Sequence, residues 1–254
     1  MDLEGFYGAL LEKENKFEIL NEKLVGLFFD LQGLLKPEMS LEIGAFEAEF
    51  SKKMRSISPF IPVLAFEANP YNYKHFTNQY DYAANHISYL HNAISDLDGT
   101  LDFNIQEEIV SRGQKIDKVI GSNSILNRTN KDVLCKQVSV PSYRLDTYLK
   151  KNSRDHLEPS MWIDVEGANR NILEGAAETL SRAKSVFIEV EDFAYWENQW
   201  LSKDVVSYLA RFGLIPVARD LQYGPNQYNY IFVRKDLASQ ESVLGKISKF
   251  YTSL

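Results

Sequence analysis

Leu41-Glu42-Ile43-Gly44-Ala45-Phe46-Glu47-Ala48-Glu49-Phe50-Ser51 is the stretch that decides the fold. A short apolar strand runs into a small-residue turn, and a helix is predicted to start directly after it, over about 46–57. The next strand, Val63-Leu64-Ala65-Phe66-Glu67, closes on an acid and is followed by Ala68-Asn69-Pro70. A carboxylate at the tip of strand two, beside a glycine turn after strand one, is how doubly wound sheets hold a ribose. The turn also limits the ligand. A dinucleotide site wants G-x-G-x-x-G so that a pyrophosphate can approach the backbone. Here Phe46 stands where the second glycine belongs, with no third glycine at Ala48 or Glu49, and Glu42, Glu47 and Glu49 would repel a diphosphate. A cationic nucleoside suits the turn better. S-adenosylmethionine is one, carrying a sulfonium, an ammonium and a ribose for Glu67, so a nicotinamide-dependent oxidoreductase is disfavoured.

Working outward, strands and helices alternate from Met39 onward, which predicts a parallel sheet with helices on both faces. A helix is expected from Tyr71 to about Tyr82 and a third strand over Ile87–Ala93. Asp98-Gly99 signals a turn before a strand at Thr100–Ile105. Residues 106–134 are polar and weakly patterned, forming either a surface excursion or a mobile loop over the site. Short strands are expected at Gln137–Pro141, Met161–Val165 and Ser185–Val190, and a helix at Ser202–Arg211. The last two strands, Leu214–Arg219 and Tyr228–Arg234, are joined too closely for a crossover helix and should be antiparallel. Residues 3–35 read as helical, a lid or packing arm in front of the sheet or else a partner-binding helix. Residues 239–254 read as an amphipathic helical tail. The organisation expected is an N-terminal extension over 1–38, a main domain over 39–236 and a tail over 237–254.

The bulk properties fit one such domain. The chain has 254 residues, 44% of them hydrophobic and 25% charged, enough to bury a sizeable core. A net charge of −7 argues against nucleic acid or an anionic membrane as main partner. The lone Cys135 excludes an internal disulfide and a multi-cysteine zinc site, and a buried thiol is expected there. The first residues carry no basic, apolar leader and no apolar run approaches the roughly 20 residues of a membrane span. A cytoplasmic protein without a membrane span is the expectation, with room for a homodimer through the terminal helices.

Several runs in order resemble the FkbM-type S-adenosylmethionine-dependent methyltransferases. They are Leu41–Ala45 through Ser51, Ala65-Phe66-Glu67-Ala68-Asn69-Pro70, Asn92-Ala93-Ile94-Ser95-Asp96 and Arg144-Leu145-Asp146. The strongest is Ile163-Asp164-Val165-Glu166-Gly167-Ala168, continuing to Ile172-Leu173-Glu174-Gly175-Ala176, and Asn229–Val233 is similar to the family's last strand. The resemblance implies a Rossmann-like class I methyltransferase fold of the α/β class: a doubly wound seven-stranded sheet whose last strand is antiparallel. It implies S-adenosylmethionine as cofactor, with Glu42, Gly44 and Ala45 along the methionine part and Phe46 in the same turn. Glu67 would take the ribose hydroxyls, Ala68 would flank the adenine, and Asn92 and Ala93 would meet its edge. Asp164 would face the methionine ammonium or the acceptor. The chain departs from the family pattern at Glu42 (usually Asp), Phe46 (Asn), Ala48 (Gly), Trp162 (Lys) and Asn169 (Glu), which makes the cofactor turn bulkier and alters the acceptor pocket.

Methyl transfer to a hydroxyl needs help with the leaving proton. Asp164, Glu166 and Glu189, at or just beyond strand ends, are the candidate catalytic groups, although an acid in a helix's first turn, like Glu166, is also favoured by the dipole. No metal is assigned, although Asp164 with Glu189 and a water shell would resemble a Mg²⁺ site built from one or two carboxylates and substrate oxygens. Phe193, Tyr195, Trp196 and Trp200 would stack on a flat acceptor or pack beneath the N-terminal helix. Ser122-Asn123-Ser124 would hydrogen-bond the acceptor or be plain surface loop. The function expected is O-methylation of a hydroxyl on a sugar, glycan precursor or small metabolite; the alternative is a degenerate fold that binds without catalysis.

Overall fold

The structure, a computed structural model, describes residues 16–221 and 226–253. The expected helix over 3–35 therefore lies partly outside the described residues. Helix α1 (Lys16–Leu35) turns Leu20, Leu24, Leu27, Phe28, Leu31 and Leu35 into one buried stripe, the spacing of a helix that docks on a single face. That stripe packs on Phe50, Phe187, Ile231 and Val233, so α1 is a packing arm.

The chain then runs β1 (Met39–Ile43), α2 (Glu49–Ile57), β2 (Val63–Glu67), α3 (Pro70–Thr77), β3 (Ser88–His91) and β4 (Ala93–Ile94). Next come β5 (Gly99–Ile109), β6 (Gln114–Lys115), β7 (Val133–Tyr143), α4 (Leu145–Lys151), β8 (Pro159–Ile163), α5 (Asn169–Glu174) and α6 (Ala177–Leu180). The described chain ends with β9 (Ser185–Glu191), α7 (Ser202–Ala210), β10 (Leu214–Arg219), β11 (Gln227–Arg234), α8 (Lys235–Ala238) and α9 (Glu241–Thr252).

The main sheet has seven strands in the order β10-β11-β9-β8-β1-β2-β3. Its pairings are parallel except those of β11, which is antiparallel to both β9 and β10. This is the Rossmann-like, doubly wound α/β sheet with a reversed last strand that the sequence predicts. Every residue of β1, β2 and β9 is buried, as befits strands covered on both faces. One face meets α4, α5 and α7 through Leu145, Ile172, Leu173 and Val205. The other meets α1, α2 and α9 through residues such as Phe28, Phe50 and Phe250. No described helix is long and apolar enough to cross a membrane.

Several local expectations change: the helix expected from Tyr71 to about Tyr82 ends at Thr77, and the strand expected over Ile87–Ala93 ends at His91. Helix α2 begins at Glu49 rather than Phe46, because Phe46 (φ 47°) and Ala48 (φ 59°) hold the left-handed conformation, which a right-handed helix cannot include. The pieces expected at 100–105 and 137–141 are two eleven-residue strands, paired antiparallel in a second, four-stranded sheet of order β4-β7-β5-β6. Glu107 and Lys136 stand where the alternation of Leu101, Phe103 and Ile105 and of Val138 and Val140 would place an apolar residue, which hides the strands' length. Cys135 sits exposed on β7 rather than buried.

Candidate active site

The C-terminal ends of β1, β2, β8 and β9 open into a cavity of about 570 Å³, within the usual range for small-molecule sites. Its rim is set by one close backbone crossing. Gly44 has φ 80°, and a Cβ there would lie 1.9 Å from the Asp164 carbonyl oxygen. Only glycine fits between the tips of β1 and β8. The backbone amides of Gly44 and Ala45 both donate to the Phe66 carbonyl, at 3.0 and 2.9 Å, which ties the turn to β2.

Glu67, at the tip of β2, is 5% exposed and lines the cavity. Its Oε2 accepts from the Phe46 amide at 2.7 Å, and its Oε1 accepts from the Asn69 amide at 2.7 Å. A carboxylate has about four lone-pair positions, so capacity remains for a ligand's hydroxyls. Burial pushes its carboxyl up to about 7 against those hydrogen bonds. Ala68, Asn92 and Ala93 border the same space. His91 lies outside it, its Nε2 3.2 Å from the Ala68 carbonyl and its ring stacked on Tyr73.

A second hollow of about 470 Å³ adjoins the first and shares Gly44, Phe46 and Asp164 with it. Glu42 and Ala45 face this hollow and not the main cavity. Glu42 is 4% exposed and accepts from the amides of Phe50 and Ser51 at the start of α2, at 3.3 and 2.9 Å. Burial drives its carboxyl up to about 8. Trp162 forms an aromatic wall here, flat on Phe187 with ring centroids 3.7 Å apart and stacked near Phe50. The residues expected around the cofactor thus divide between two connected hollows.

Asp164, Glu166 and Glu189 all line the main cavity. Asp164 opens to the cavity yet is ringed by protein, and burial raises its carboxyl to about 6. Glu166 is raised to about 7, chiefly by burial, and its carboxylate lies 3.9 Å from the Arg128 guanidinium. Glu189 is held well above the usual carboxylate range by burial, then by the charges of Asp164 and Glu166. Glu191, on the same strand, is used elsewhere: it accepts from Gln199 Nε2 at 2.7 Å. Asn169 donates to the Glu189 carbonyl at 2.8 Å. Among the described residues no group of three or more His, Cys, Asp or Glu is arranged to hold a metal ion.

The polar segment after β6 forms a strap over the cavity, with Ile120 to Ile125 in its lining. Asn69 and Asn72, at the start of α3, hold one end by donating to the carbonyls of Lys118 and Ile120 at 2.8 and 3.1 Å. Ser124 holds the other, its hydroxyl 2.5 Å from the Glu166 carbonyl. Asn123 accepts from the Gln106 amide and donates to the Ile120 carbonyl, so its side chain braces the strap itself. The aromatic run after β9 neither stacks into the cavity nor lies beneath α1. Trp196 is buried under the Arg128 guanidinium, 3.9 Å from its ring, and against Gly167. Phe193 is exposed. Gln227, which donates to Glu189 Oε1 at 3.0 Å, is a cavity residue the sequence reading misses. A polar side chain at the opening of the last strand is its one signal.

A family model described as the methyltransferase FkbM domain matches residues 43–221, more than half of the chain. The chain belongs to the FkbM methyltransferase family. Its fold is the Rossmann-like class I methyltransferase fold. The cavity fits S-adenosylmethionine, since carboxylates suit a sulfonium and an ammonium and no basic side chain of the lining opposes them. Over 78 residues the chain is 27% identical to the 2-O-methyltransferase NoeI of Sinorhizobium fredii (strain NBRC 101917 / NGR234). That match covers 31% of this chain and 32% of the relative, so the chain spans about a third of the curated protein it matches. Among solved structures, magnesium protoporphyrin IX methyltransferase (ChlM) from Synechocystis PCC 6803 with bound SAM has 8% identity and a TM-score of 0.46, covering 85% of this chain and 79% of that one. The methyltransferase domain of bacterial CtHen1 has 9% identity and a TM-score of 0.43, covering 84% and 99%.

Proposed function

We propose that this chain is an S-adenosylmethionine-dependent methyltransferase that transfers a methyl group to a hydroxyl oxygen of a sugar, glycan precursor or related small metabolite. The observation that carries the reading is that Glu67, Asp164 and Glu189 line one cavity. The likeness to a 2-O-methyltransferase supports oxygen as the receiving atom.

When bound, S-adenosylmethionine supplies an electrophilic methyl group on its sulfonium. Glu67 would accept the ribose hydroxyls, with Ala68, Asn92 and Ala93 around the adenine. Glu42, Gly44, Ala45 and Phe46 would side with the methionine end, and Asp164 stands where the two hollows meet. Alignment of the reacting atoms is worth about 7–11 kcal/mol in such a displacement. Glu189 is the favoured base. Its high proton affinity, from burial and from its acidic neighbours, suits a group that must draw a proton from a hydroxyl near neutral pH. Asp164 and Glu166 are the other candidates, and Gln227 orients Glu189.

Calorimetry with S-adenosylhomocysteine tests the reading. The wild-type protein should bind, and Glu67→Ala should not; equal affinity for both would remove Glu67 from the cofactor site. A second reading, binding without turnover, is prompted by the Phe46 ring in the lining. Tight S-adenosylhomocysteine binding with no methyl transfer across an acceptor panel would favour it.

A further inference from the structure

We propose that the methyl acceptor enters the cavity as an uncharged polyol, and that sugars carrying a phosphate or nucleoside diphosphate on the entering end are excluded. The inference rests on the O-methyltransferase reading and narrows its substrate class. Four carboxylates line the cavity, those of Glu67, Asp164, Glu166 and Glu189, and no Lys, Arg or His does among the described residues. The Arg128 guanidinium lies behind Glu166, 3.9 Å from its carboxylate and 3.9 Å over the Trp196 ring. It pairs with Glu166 and is not among the residues that line the cavity.

Neutral donors near the strap are partly engaged, each side-chain amide spending one of its two N–H groups within the protein. The Asn123 amide donates to the Ile120 carbonyl, the Ser124 hydroxyl to the Glu166 carbonyl and the Gln227 amide to Glu189. Carboxyl oxygens therefore dominate what the acceptor end offers: they accept from O–H donors, and even a protonated one supplies a single O–H and no positive charge. A polyol brings O–H donors to meet them. A phosphate dianion brings acceptors alone, and it would be stripped of water against like charge. Burial, and then the charges of Asp164 and Glu166, already make Glu189 hold its proton more tightly, and a further anion would add to that repulsion. Exclusion of this kind sets specificity through an unfavourable contact with the wrong ligand.

The experiment uses the full chain. Binding of S-adenosylhomocysteine is measured first, and its absence would overturn the cofactor reading and this inference together. With binding established, S-adenosylhomocysteine release from S-adenosylmethionine is followed with matched pairs: methyl glycosides against the corresponding sugar 1-phosphates and uridine-diphosphate sugars. Turnover should occur with neutral members and fall about a hundredfold or more with their phosphorylated partners. Equal or faster turnover of a phosphorylated partner would overturn this inference and leave the methyltransferase reading standing. Should no pair react, melting of the S-adenosylhomocysteine complex in inorganic phosphate and in uridine diphosphate decides. An unchanged melting temperature supports exclusion, and a saturable rise at or below about 1 mM of either anion defeats it.

Discussion

The floor and the roof of the cavity are built by different physics. The floor consists of strand tips, Gly44, Glu67, Asp164 and Glu189, positioned by parallel strands that are buried on both faces. The roof is the strap over Lys118–Ile125, held by side-chain hydrogen bonds from Asn69, Asn72 and Ser124 and by a short antiparallel bridge from Ser124 to Asn104 of β5. The floor should thus be rigid and costly to alter, whereas the roof should loosen one bond at a time. Each variant below tests that contrast.

The largest effect is expected on the floor. Glu67→Ala removes an acceptor for ligand hydroxyls as well as the anchor of the Phe46 and Asn69 amides. S-adenosylhomocysteine affinity should fall by about a hundredfold or more, since hydrogen bonds to charged groups are worth about 1.5–3 kcal/mol each. Calorimetry beside a circular-dichroism melt separates lost binding from lost folding.

Next comes pH. The Glu42 carboxyl has an ordinary value of 4.5 and stands at about 8 in the folded chain. The folded state therefore holds the proton more tightly than the unfolded one. That contribution to stability is complete below pH 4.5 and is lost as pH rises through about 8, at up to about 1.4 kcal/mol per pH unit. Glu67, Asp164, Glu166 and Glu189 shift in the same direction. The melting temperature should drop by several degrees between pH 5.5 and 8.5, and Glu42→Gln should flatten the slope. An unchanged slope in that variant would show that Glu42 is not the titrating group.

The roof should respond more gently. Ser124→Ala removes the bond to the Glu166 carbonyl, about 1 kcal/mol. Amide exchange across 118–126 should quicken by about fivefold to tenfold while the strand tips keep their protection. Equal acceleration in both regions would erase the proposed contrast.

Smallest of all is Ala48→Gly. It relieves a left-handed alanine, worth about 1–2 kcal/mol, and gives up a buried methyl group, about 0.8 kcal/mol. A rise in melting temperature of about 1–3 °C is expected, and a fall would mean that packing outweighs strain at the turn.

The same contrast explains what the sequence disclosed. The floor was legible because strand periodicity and a glycine turn followed by an acid are local signals, and Gly44, Glu67 and Asp164 sit on them. The strap was not legible. Its residues are polar, and what fixes them is contact with α3, with Asn104 and Gln106 of β5 and with the Glu166 carbonyl, all outside the segment itself. Gln227 escaped for the same reason, since only the antiparallel pairing of β11 with β9 brings it to Glu189. Phe46 and Ala48 misled the helix boundary because their composition is helical while their backbone is left-handed.

Trp162 lies flat on Phe187 and borders the hollow that also holds Asp164. An indole in that position gives the protein its own optical reporter. Filling the hollow should change the dielectric and quenching around that ring, so occupancy can be followed by intrinsic emission, without a label, against a Trp162→Phe background in which Trp196 and Trp200 supply the constant signal.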